Sequence, residues 1–104
     1  MTAAIHDDVV QVSPRAVGAG QIVLVVSNQS GRAQTVTFET DELGGPAGGR
    51  RARSPVIPAS GIGRLTINAR QGVYSVRVGD SSVRAARVRV GPPRRSGQDD
   101  LLLP

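Results

Sequence analysis

Hydrophobic positions recur at every second residue along most of this chain, and valine fills many of them. That period belongs to strands that bury one face, and no stretch shows a convincing helical period. A first short strand is predicted from Val9 to Ser13, closed by Pro14. The segment PRAVGAG then reads as a turn into a second strand, about Gln21 to Ser27. There Ile22, Leu24 and Val26 line one face while Val23 and Val25 line the other. A strand apolar on both faces is central in its sheet or covered on both sides. Asn28-Gln29-Ser30-Gly31 supplies turn chemistry. The third strand, Gln34 to Thr40, points Val36 and Phe38 inward and Thr35, Thr37 and Glu39 outward.

Alternation resumes after residue 60. Leu65 and Ile67 face inward in GRLTINA, as do Tyr74, Val76 and Val78 in VYSVRV, and Ala86, Val88 and Val90 in VRAARVRV. Gly91-Pro92-Pro93 ends the pattern, because proline donates nothing to a ladder. The last two strands form a predicted hairpin whose register charge helps to set. Val76 opposite Val88 would place Arg77 against Arg87, and like charges directly opposed destabilise a sheet. The expected register therefore places Val76 opposite Ala86, Ser75 opposite Arg87 and Arg77 opposite Ala85. Six to eight such strands predict an all-β fold, an antiparallel β-sandwich, over residues 9–91. Residues 1–8 precede it and 92–104 form a tail. The connection 41–60, DELGGPAGGRRARSPVIPAS, holds four glycines, three prolines and three arginines. Its length is unusual within one domain and is often functional. A short strand around Val56-Ile57 fits inside it.

Composition narrows the chemistry. The 104 residues fit one domain. There is no cysteine, which removes thiolate nucleophiles, disulfides and cysteine-ligated zinc or copper. All 13 basic residues are arginine and the formal net charge is +5. Guanidinium pairs bidentately with carboxylate and phosphate, although arginine in place of lysine is also what a GC-rich coding sequence produces. Phe38 and Tyr74 are the sole aromatics. Both fall on predicted core faces, so no aromatic platform for single-stranded nucleic acid is expected. No run approaches the roughly 18 apolar residues of a membrane-spanning helix. MTAAIHDDVV lacks the basic and apolar regions of a signal peptide. Either the protein is cytosolic or this sequence begins after a removed export signal.

Three pieces in order resemble the cupredoxin-like domain of blue-copper proteins. They are VSPRAVGAGQIVLVVSNQS (12–30), QTVTFET (34–40) and IPASGIGRLTINARQGVYSVRV (57–78). The resemblance covers about residues 9–91 and implies a Greek-key sandwich, shared in outline with immunoglobulin-like domains. It also implies export, since such domains are usually extracytoplasmic. Copper-binding relatives often read His-Thr-Val-Thr-Phe where this chain has Gln34 onward. The family's cysteine ligand falls near Val78. The loop for its second histidine and its methionine is reduced to Gly79-Asp80-Ser81-Ser82. His6 and Met1, the single residues of their types, lie outside the aligned region. The resemblance thus implies the scaffold without its copper, and no cofactor is expected. Gln34 is expected to cap the end of the core, its amide bonded to loop backbone.

The remaining candidate chemistry is sparse. His6-Asp7-Asp8 is the one His/carboxylate cluster, at a terminus where mobility is the rule. Glu39, Asp41 and Glu42 could pair for acid–base work, but no dry pocket is implied. No catalytic and no metal-binding residue is assigned, and no enzyme is expected. Arg50, Arg51 and Arg53 in the loop, with Arg77, Arg87 and Arg89 on outward strand positions and Arg64 near them, form the candidate contacts for an anionic partner. Leu101, Leu102 and Leu103 at the terminus are apolar enough to dock a partner. The expected role is a non-catalytic, metal-free binding or structural module, with self-association through the tail or a sheet edge. An arginine-rich binder of anionic polymers competes with it, nucleic acid being the less favoured target. Asn28-Gln29-Ser30 matches the N-glycosylation pattern, which a turn asparagine explains as well.

Overall fold

The two aromatic rings meet edge to face at the centre of the molecule, Phe38 against Tyr74, with centroids 5.4 Å apart and planes at 79°. A computed structural model describes residues 1–40, 50–80 and 82–93. Residues 41–49, within the long connection, and the tail with Leu101, Leu102 and Leu103 lie outside them.

Among the described residues there are nine strands and no helix. They are β1 (Thr2–Ile5), β2 (Val10–Ser13), β3 (Ala16–Gly18), β4 (Gly20–Asn28), β5 (Val36–Thr40), β6 (Arg51–Arg53), β7 (Ile62–Ala69), β8 (Gly72–Val78) and β9 (Ala86–Gly91). A four-stranded sheet runs β2-β1-β4-β7 and a five-stranded sheet β3-β9-β8-β5-β6. The alternation decides what each sheet buries. Ala3, Ile5, Val10, Val12, Ile22, Leu24, Val26, Leu65, Ile67 and Ala69 come from the first sheet. Val36, Phe38, Tyr74, Val76, Val78, Val88 and Val90 come from the second, and all belong to one hydrophobic cluster. Burial of this aliphatic and aromatic surface is the main stabilising term.

The architecture differs from the expectation in three respects. The sheets are mixed, because β1 pairs with β4 and β3 with β9 in parallel. Nine strands replace six to eight, since Thr2–Ile5, Ala16–Gly18 and Arg51–Arg53 are strands too. Strands of three or four residues carry too few alternations to register as a pattern. In particular, the predicted turn PRAVGAG contains β3, which takes the chain from β2 at the edge of one sheet to β9 in the other. The expected strand at Val56-Ile57 is a single bridge, Ile57 to Gln34. The predicted hairpin register holds: Val76 lies opposite Ala86 and Ser75 opposite Arg87. β4 is central, between β1 and β7, with its outer Val23 still partly exposed.

Tyr74 is fully buried, and its hydroxyl both donates to the Arg70 carbonyl and accepts from the Arg70 N–H, each at 2.9 Å. This closes the β7–β8 turn onto the core. Tyr74→Phe keeps the ring but leaves that main-chain pair without the hydroxyl. The expected loss is about 1–2 kcal/mol in urea denaturation.

Candidate functional site

Cross-strand register brings five arginines to one face. On β5, Thr37 lies opposite Arg53 of β6 on one side and Arg77 of β8 on the other. Two residues on, Glu39 lies opposite Arg51 and Ser75. Ser75 in turn faces Arg87 of β9, and Val73 faces Arg89. Side chains of directly opposed residues share a face, and alternate residues on a strand return to it. Arg51, Arg53, Arg77, Arg87 and Arg89 therefore occupy the outer face of the five-stranded sheet, opposite to Phe38, Val76 and Val88. Among the described residues Glu39 is the one acid on it.

Glu39 is held by two of these arginines. Arg51 Nε donates to Oε2 at 2.8 Å, and Arg77 Nε donates to Oε1 at 2.7 Å with its second nitrogen 2.6 Å away. Glu39 and Thr37, both expected on the outward face, are on it but buried. Flanking arginines on both neighbouring strands explain this, since their long stems lie along the sheet while the head groups reach water. Burial pushes the Glu39 carboxyl up. The hydrogen bonds from Arg77 and Arg51, and their charges, outweigh that and hold it below the ordinary range. Glu39 is thus a fixed anion, unsuited to passing protons near neutrality. Its one charge is shared by two arginines, so the described residues of this face sum to a net positive charge.

Two candidate arginines fall elsewhere. Arg50 is clasped to the end of β5 by its main chain: its N–H donates to Thr40 Oγ1 and its carbonyl accepts from the Thr40 N–H, each at 3.0 Å. Alternation places its side chain away from Arg51. Arg64 is on β7, in the other sheet.

The end where the cupredoxin-like resemblance would place copper ligands, around Gln34 and Val78, carries none of them. Val36 pairs with Val78, and Val78 and Val83 are buried there with Gln34. Gln34 is bonded to the loop by its main chain, not by the expected amide: its N–H donates to Ile57 O at 2.9 Å and its carbonyl accepts from Ile57 N at 2.7 Å. An amide and two valines do not fit a copper centre. Among the described residues no three His, Cys, Asp or Glu side chains gather into a metal-binding group. His6 instead meets Gln11, Nε2 to Oε1 at 3.1 Å, and Asp7 accepts from the Gly31 N–H at 3.1 Å.

Nearby, Asn28 is fully buried at the end of β4. Its Nδ2 donates to the carbonyls of Arg32, Ile57 and Pro58 at 2.8, 2.9 and 3.2 Å. Its Oδ1 accepts from the Ser30 N–H and hydroxyl at 3.1 and 2.6 Å. An amide so enclosed is not presented for glycosylation in the folded chain. The Asn-x-Ser turn was legible in the sequence, whereas its partners some thirty residues later were not.

No protein-family model matches this chain, and no curated protein matches it. Among the described residues no helix is long and apolar enough to cross a membrane.

Proposed function

We propose that the chain is a non-catalytic, metal-free binding module of cupredoxin-like, Greek-key sandwich architecture, and that its arginine face receives an anionic partner. Two sheets sharing one aliphatic core are what a sandwich requires, and the motif order of residues 12–78 supports the cupredoxin-like form. The absence of cysteine and the Gln34–Val78 end support a scaffold without copper. The observation that carries the binding role is the convergence of Arg51, Arg53, Arg77, Arg87 and Arg89 over three strands, where Glu39 is the one carboxylate among the described residues. Planar guanidiniums on a sheet suit phosphate or carboxylate groups of an extended polymer or an acidic protein surface.

Titration of duplex DNA, single-stranded RNA and poly-glutamate against increasing salt tests this. Binding is expected with log affinity falling linearly in log salt. On duplex DNA the double variant Arg53→Ala, Arg89→Ala should flatten the slope by about 2, roughly one per lost phosphate contact. No binding to any of the three at low salt would remove the anionic partner.

A further inference from the structure

β7 is the long edge of the four-stranded sheet; β6 of the other sheet lies near it, but no described strand pairs with its outer side. It spans eight residues, while the other edge strands, β2, β3 and β6, have four, three and three. Its hydrogen-bonding direction follows from β4. The N–H groups of Val25 and Gln29 donate toward the first strand, to Met1 O and Ile5 O at 3.1 and 2.8 Å. The alternate β4 residues Gly20, Ile22, Leu24 and Val26 therefore bond to β7, and their partners are Ala69, Ile67, Leu65 and Gly63. The N–H and C=O groups of Ile62, Arg64, Thr66 and Asn68 point outward from the edge.

Soluble proteins blunt such edges with proline, inward charges, bulges or very short strands. β7 has no proline and no inward charge, and its ladder with β4 runs unbroken over all eight residues. Its one charged residue is Arg64, and Ile62 at its start is 74% exposed. β2 approaches the other sheet as β7 does, but it is also hydrogen-bonded beyond its own sheet: the Val10 N–H donates to Arg84 O at 2.8 Å.

We infer that β7 pairs antiparallel with β7 of a second copy of this chain, independently of the arginine face on the other sheet. The edge is self-complementary. Residues with outward amides pair only with one another in an antiparallel ladder. The twofold register centred on Leu65 sets Ile62 against Asn68 and Arg64 against Thr66, and pairs nearly the whole strand. No like charges are opposed, and Leu65 meets its own copy on the core side. Centring on Arg64 instead would oppose two guanidiniums, and centring on Thr66 would leave Ile62 beyond the ladder. The chosen register joins two four-stranded sheets into one.

Sedimentation equilibrium over a wide concentration range reads the association, with circular dichroism confirming that each variant folds. A monomer–dimer equilibrium is expected for the natural chain. Thr66→Pro removes an outward N–H that β4 does not use, and should weaken the dimer at least about ten-fold. Thr66→Glu sets a carboxylate against Arg64 twice by symmetry, and should tighten it by about two- to thirty-fold. Thr66→Arg should weaken it. A chain monomeric at every concentration overturns the inference, whether its Thr66 and Asn68 amides exchange freely or are covered by another part of the chain. A dimer indifferent to Thr66→Pro, or one that Thr66→Glu weakens, overturns it as well.

Discussion

Replacing Asn28 with alanine should cost about 3–5 kcal/mol of folding free energy, the largest effect expected of any single polar side chain here. The side chain is fully buried and joins two stretches of chain: its own turn, through Ser30 and Arg32, and the segment that presents the Ile57 and Pro58 carbonyls. Its main chain adds two bonds, from its N–H to Gly61 O and from the Ser60 N–H to its carbonyl, each 2.9 Å. Alanine leaves the main-chain bonds but strands the carbonyls and the Ser30 N–H, and each orphaned group costs about 1–3 kcal/mol when water cannot reach it. For a domain of this size the melting temperature should fall by more than about 12 °C. Asn28→Asp separates hydrogen bonding from shape. A carboxylate of the same size would face the carbonyls that the amide now serves, so its folded pKa must rise above the unfolded value near 3.9. By linkage its destabilisation is full at neutral pH and eases as pH falls through that raised pKa. Urea titrations of both variants at neutral and mildly acidic pH read this. Equal, pH-independent losses would show that packing, not hydrogen bonding, is what Asn28 contributes.

Asn28 also marks where sequence reading stops. The inward residues were legible because burying one face of a strand imposes period two, and Val36, Phe38, Leu65, Ile67, Tyr74, Val76, Val78, Val88 and Val90 are all buried. The hairpin register was legible because the alignment of Val76 with Val88 would oppose Arg77 to Arg87, which disfavoured it against Val76 with Ala86. Sheet membership was not, because an alternating strand looks the same whichever sheet receives it. Thr2–Ile5 and Ala16–Gly18 join their sheets by parallel, long-range pairing that local pattern does not encode. The arginine face was half visible. Arg77, Arg87 and Arg89 stood on outward positions of predicted strands, but Arg51 and Arg53 were placed in a loop. Only the pairing of β6 with β5 sets them beside Glu39.

That pairing gives Glu39→Gln two opposite consequences. The natural carboxylate is held by two short, charge-assisted hydrogen bonds, a kind that contributes more than neutral ones. The arginine side chains are 49% and 41% exposed, so water already weakens the Coulombic part. The expected loss of stability at neutral pH is therefore about 1–3 kcal/mol. Its pH dependence has a definite sign. The folded pKa of Glu39 lies below its ordinary 4.5. The stabilisation is present above that ordinary value and is lost as pH falls through the lowered one. Glutamine cannot titrate, so the gap between natural chain and variant should close on acidification, as read by denaturation at several pH values. Meanwhile the substitution releases two guanidiniums on the outer face. If an anionic polymer docks there, Glu39→Gln should bind it more tightly at low salt and steepen the salt slope by up to about 2, although the fold is weaker. A residue serving only the fold would lower stability without improving affinity. Tighter binding from a less stable protein is the combination that only a working arginine face produces.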